Sequence, residues 1–112
     1  MDERGKILLD NFNEYFQLGL RALNEAKFNS ATTLFFTAII ALCDLIILQK
    51  EGRIPSSHSD RFRTAEEKYL EIYAILDRDF PFYQDSYTKK MDKESAELLK
   101  YDIEKLKKIA RK

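Results

Sequence analysis

Between Ser30 and Lys50 the chain has almost no polar side. Leu34, Phe35, Phe36, Ile39, Ile40, Leu42, Leu45, Ile46, Ile47 and Leu48 fall at every angle around a helix. A helix without a polar face has to be covered on more than one side. Other helices of the same chain can supply that cover, or a second copy can, and the pattern alone leaves both open. A bilayer is the third kind of cover, and it takes about 20 apolar residues. The apolar run Leu34 to Leu48 is shorter and carries Asp44, so no membrane span is expected.

The rest of the composition supports a packed helical domain. The chain has 112 residues, enough for one domain over residues 1–112. With 45% hydrophobic and 34% charged residues it is not a disordered tail. It contains no Val and no Trp, only three Gly and two Pro, and abundant Leu and Ile, so strands and a loop-rich fold are not expected. Nineteen basic residues balance nineteen acidic ones, which argues against a dedicated duplex-DNA binder. A single Cys permits no internal disulfide and no cysteine zinc site. Met1-Asp2-Glu3-Arg4-Gly5 lacks the order of a signal peptide, and a cytoplasmic location is expected.

Apolar spacing predicts a first helix over about Glu3 to Ala26, with Gly19 marking a close approach by a neighbour. The second helix runs over about Ser30 to Lys50, capped by Asn29 or Ser30. Gly52 and Pro55 open a loop, 51–59, the one long loop and hence the default place for function. A third helix, about Asp60 to Asp79, ends at Phe80-Pro81-Phe82. A short segment, Phe82 to Met91, precedes a last helix over about Lys93 to Arg111 with Asp92 as its cap. The expected architecture is all-α: an antiparallel up-and-down four-helix bundle with a short extra helix before the last.

Candidate chemistry is sparse. His58, the only histidine, sits among Ser56, Ser57 and Ser59 and could act as a base or touch a phosphate, or simply cap a helix. Cys43 reads as core. Asp44 needs a partner in so apolar a run, and Tyr69, Tyr73 and Arg61 are the candidates. Tyr83, Tyr87 and Tyr101 with Lys89 and Lys90 could stack a base and hold its phosphate, or could be packing residues. The basic end, Lys105 to Lys112, suits either phosphates or the negative pole of a helix. No phosphate loop, metal spacing or Ser/His/Asp set is present, and no cofactor or metal is expected.

The segments Leu20-Arg21-Ala22-Leu23-Asn24-Glu25-Ala26-Lys27-Phe28-Asn29-Ser30-Ala31, Gly52-Arg53-Ile54-Pro55-Ser56-Ser57-His58 and Asp92-Lys93-Glu94-Ser95-Ala96-Glu97 together resemble the HEPN domain (higher eukaryotes and prokaryotes nucleotide-binding) over nearly the whole chain. The G-x-x-P-x-x-H loop is the most telling piece. The resemblance implies a helical bundle that forms homodimers and serves as an RNase or RNA-binding toxin, paired with a minimal nucleotidyltransferase as its antitoxin. It also implies an Arg-x4–6-His motif with a Tyr next, before the last helix. Tyr87 matches that tyrosine, but Phe82 stands at the arginine position and Ser86 at the histidine position. Charge stabilisation by Arg and proton transfer by His are both missing there. The expected function is therefore a non-catalytic binding module for a nucleotide, RNA or partner protein, with His58, Ser86, Tyr87, Lys89 and Lys90 as contacts. The alternatives are an RNase with a relocated site using His58, Asp85, Tyr87 and Lys89, and a purely structural adaptor.

Overall fold

The computed structural model describes residues 1–110, which form five helices with no strand among them. They are α1 (Glu3–Asn24), α2 (Phe28–Glu51), α3 (His58–Lys68), α4 (Leu70–Asp85) and α5 (Lys93–Ala110). Arg111 and Lys112, assigned to the basic end from sequence, lie outside the described residues. The fold is an all-α bundle, and its breaks fall in different places from those the sequence suggests.

Asp2 opens α1 by accepting from the Gly5 amide at 2.9 Å. A three-residue turn with Ala26 at φ 59° joins α1 to α2, and the pair packs lengthwise as a helical hairpin. At Gly19 the Phe35 ring packs against the α1 backbone. A Cβ there would sit 2.6 Å from the Phe35 ring. Gly52, at φ 75°, ends α2 in the left-handed conformation that glycine adopts without strain.

α2 is the axis of the molecule. Its 24 residues make a rod about 36 Å long, which matches the longest dimension of the bundle, 38 Å. From Ala31 to Leu48 every residue is buried except Thr33, Leu34, Thr37 and Ile40, which are half-buried. Phe12, Phe16 and Ala22 of α1, Ile72 and Leu76 of α4, and Leu99, Ile103 and Leu106 of α5 join it in one core. The other helices of this chain therefore cover α2, and the argument from α2 for a second copy lapses. By length and composition α2 could cross a membrane, contrary to the estimate from the shorter apolar run. In this fold it is a central core helix, 78% of its most apolar window enclosed.

Three boundaries depart from expectation. α2 begins before its supposed caps, with no side-chain cap at Lys27, because Asn29 is engaged elsewhere (below). The third helix breaks at Tyr69 (φ −134°, ψ 73°) into α3 and α4. No Gly or Pro causes this break. The Tyr69 hydroxyl donates to the Glu51 carboxylate at 2.7 Å, while amide bonds on either side, Tyr69 to Ala65 and Tyr73 to Tyr69, keep helical geometry. Finally, Pro81 does not end α4, which continues to Asp85. Phe36 of α2 holds Phe80 and Tyr83, on both sides of the proline, at ring distances of 5.8 and 4.9 Å. The expected separate segment before α5 is thus the last turn of α4 followed by a turn and a short extended link.

Candidate functional site

The loop between α2 and α3 is held by a carboxylate. Asp60 accepts from the Ser56 amide (2.9 Å), Arg53 (3.0 Å) and Arg63 (3.0 Å), and the bonds from the Ser56 amide and Arg53 hold its pKa down at about 2. Ser57 caps α3 by accepting from the Asp60 amide at 3.1 Å. This fixes the first turn of α3, which carries His58 and Arg61.

Arg61 settles which partner Asp44 takes. Its Nε and Nη2 donate to the two Asp44 oxygens at 2.7 and 2.8 Å, a bidentate pair buried between α3 and α2. Tyr69 is bound to Glu51 instead. Arg61 Nη1 meets His58 Nδ1 at 3.0 Å. Guanidinium nitrogens only donate, so His58 must accept at Nδ1 and carry its proton on Nε2. Held this way, the ring of this exposed residue has a hydrogen-bond donor at Nε2. A base would need a lone pair there.

From His58 a row of rings leads to the end of α4. His58 lies 5.9 Å from Phe80, Phe80 6.2 Å from Tyr83, and Tyr83 5.4 Å from Tyr87, the last contact edge-on. Tyr87 is 67% exposed, and its hydroxyl donates to that of Tyr83 at 2.9 Å. That bond, then burial, raises the Tyr83 pKa. Lys89 pairs with Asp85 at 3.4 Å, one turn apart. Lys90 lines a 360 Å³ cavity with Asn29, Ser30 and Met91. This row takes in His58 and Tyr87 of the contacts expected from sequence, and Lys89 and Lys90 follow Tyr87 in the chain. It does not contain Ser86, which is buried and bonded to Thr33 Oγ1 (2.8 Å) and the Tyr83 carbonyl (2.6 Å). Nor does it contain Tyr101, which is on α5 under the Lys105 ammonium at 4.8 Å.

The link after α4 has an anchor that the sequence reading assigned to a different task. Asn29 donates to the carbonyls of Ser86 (2.9 Å) and Lys89 (2.6 Å) and accepts from the Met91 amide (3.0 Å). Asp92 then caps α5 as expected, accepting from the Ser95 amide at 2.8 Å.

For acid–base chemistry the groups do not converge. Two rings separate His58 from Tyr87, and Asp85 is taken up by Lys89. Cys43 is fully buried, and burial pushes its thiol pKa up. Among the described residues no three His, Cys, Asp or Glu side chains gather to hold a metal.

A second polar cluster escaped the sequence reading. Asp79 of α4 and Asp102 of α5 are fully buried, and Arg78 bonds Asp102 and approaches Asp79 at 3.5 Å. Burial, then the neighbouring Asp102, pushes Asp79 up to about 8, so near neutrality it keeps its proton. The available signal was register. Asp79 follows Ile72, Ile75 and Leu76 on the buried stripe, and Asp102 lies between Leu99 and Leu106 on its own.

Comparison with known proteins finds no matching family model, no matching curated protein and no matching solved structure.

Proposed function

We propose that this chain is a non-catalytic, HEPN-like binding module that holds a nucleotide or single-stranded RNA on the Tyr83–Tyr87 end of its aromatic row. The observation that carries the reading is the Tyr87 ring, two-thirds exposed yet fixed by an edge contact and a hydroxyl bond to Tyr83. An exposed ring already immobilised gives a base a stacking face with little ordering cost. Lys89 and Lys90, two and three residues after Tyr87, suit phosphate oxygens, and the Nε2–H of His58 suits an acceptor on the ligand. The scattered acid–base groups favour holding over cleaving. The resemblance adds a homodimer and a minimal nucleotidyltransferase partner in a toxin–antitoxin pair, and the N-terminal sequence suits a cytoplasmic setting. For a second copy, the open apolar side chains Ile7 and Leu18 of α1 offer more surface than α2 does.

The test is fluorescence anisotropy with a short labelled single-stranded RNA, competed by ATP, over a series of salt concentrations. Two phosphate contacts at ~0.7 each predict a log–log salt slope of about −1.4. Tyr87→Ala should weaken binding about tenfold or more, and the RNA should be recovered intact. Binding indifferent to Tyr87→Ala, or none at low salt, would rule the site out.

A further inference from the structure

The surface between α4 and α5 is lined by aliphatic and cationic side chains together, a mixture unusual for a surface that faces water alone. Two adjacent cavities, 450 and 400 Å³, share Glu71 and Ile109 and so form one continuous groove. It follows α4 from Leu70 to Arg78, about 12 Å at 1.5 Å per residue. Its floor is aliphatic: Ala74, Ile75 and Ile109, with Leu70, 69% exposed, at one end. Its walls are cationic. Arg78, Lys105 and Lys108 stand along one cavity and Lys50 and Lys68 along the other, against Glu71 as the one lining carboxylate. In a chain whose charges cancel overall, this is a strong local excess.

Of the lysines, Lys68 is spent on Glu51 at 3.3 Å and the other three are not. Among the described residues no carboxylate pairs with Lys50, Lys105 or Lys108. Arg78 is held on its inner side by Asp102 and Asp79, which fixes the guanidinium while its side chain stays about half exposed. A long side chain fixed in this way loses little freedom when it binds.

We infer that this groove docks an acidic amphipathic helix of a partner protein. The partner's apolar residues would lie along Leu70, Ile75 and Ile109, and its carboxylates would meet Arg78, Lys105 and Lys108. The elongated shape fits about two turns of helix better than a compact anion. An aliphatic floor also disfavours RNA, which prefers rings to stack on. The one ring lining the groove, Tyr69, is tied through its hydroxyl to Glu51. This inference rests on a different surface from Tyr87 and stands or falls separately.

The test titrates the full chain with a synthetic helical peptide carrying Leu at i, i+4 and i+7 flanked by Glu, and with the same peptide carrying Lys in place of Glu. The acidic peptide should bind, shifting backbone amide resonances of residues 70–78 and 105–109, and the Lys peptide should bind at least about tenfold more weakly. Lys105→Glu with Lys108→Glu should weaken the acidic peptide about tenfold while the chain stays folded, its melting temperature lowered only by the lost interactions at the α5 C-terminus. Leu70→Ser should weaken it independently of charge. Equal binding of the two peptides, shifts confined to other helices, or indifference to the double charge reversal would overturn the inference. Displacement of the acidic peptide by single-stranded RNA would do so as well, as would self-association abolished by the charge reversal, which would give the groove to a second copy.

Discussion

Asp44 and Arg61 show how single side chains hold this molecule. Each is more than nine-tenths buried, and each satisfies the other with two bonds. Asp44→Ala would leave a guanidinium buried without a counter-charge, and unfolding by urea should show a loss of about 3–5 kcal/mol. Replacing both, Asp44→Leu with Arg61→Met, should recover most of that loss; a double variant as weak as the single one would mean that the pair is not what holds α3 to α2. Gly19→Ala should destabilise by about 1–3 kcal/mol, because the added methyl would meet the buried Phe35 ring at 2.6 Å. A thermal melt within error of the parent chain would contradict that contact. Both positions were legible in the sequence as problems: a charge in an apolar run, and a glycine inside a helix. The solution for Asp44 was not, because three residues on the far side of a loop were equally eligible. Asp79 and Asp102 were missed although each lies on the buried stripe of its own helix, because an acid is ordinarily a surface residue.

At the level of elements, local rules set where most helices start and tertiary contacts set where some stop. Asp2, Ser57 and Asp92 cap as their residue types suggest. Tyr69 breaks a helix that local propensity would continue, and Pro81 fails to break one it should. In both cases the deciding partner, Glu51 or Phe36, lies on α2, far away in the sequence. Asn29 is the clearest instance. A residue suited to capping its own helix closes the link between α4 and α5 instead, with three bonds. Asn29→Ala should destabilise the protein by about 1–3 kcal/mol, and amides of residues 86–92 should exchange with solvent faster than those of α1. Unchanged protection there would mean that the link holds its shape without Asn29. The surface around Tyr87 depends on this tether, so its candidate ligands were legible as residues before their arrangement was.

Two carboxylates displaced in opposite directions, Asp60 and Asp79, tie the stability of the whole molecule to pH at opposite ends of the scale. Asp60 folds with a pKa of about 2, below the ordinary value of about 3.9. Its stabilising contribution is present above that value and is lost as pH falls through about 2. Asp79 folds with a pKa of about 8, above the ordinary value, so the folded chain keeps a proton that the unfolded chain releases. Its contribution is complete below about pH 4 and is lost as pH rises through about 8. The melting temperature should therefore fall between pH 5 and pH 8. Asp79→Asn, which needs no proton to stay neutral, should flatten that fall and be the more stable of the two chains at pH 8. A parent chain whose melting temperature is level over this range would show that Asp79 is already ionised at pH 5.

The central place of α2 has a consequence for how the chain is made. Synthesis delivers α1 and α2 first, and α1 can cover only one flank of the apolar rod. The flanks that wait for α4 and α5 stay bare while residues 52–110 are added, roughly 60 residues, or about 3–12 s at ~5–20 residues per second. For those seconds the nascent chain exposes much of what will be its interior. A ribosome-bound chain stalled just past α2 should recruit chaperones strongly, and one stalled after α5 has emerged should release them.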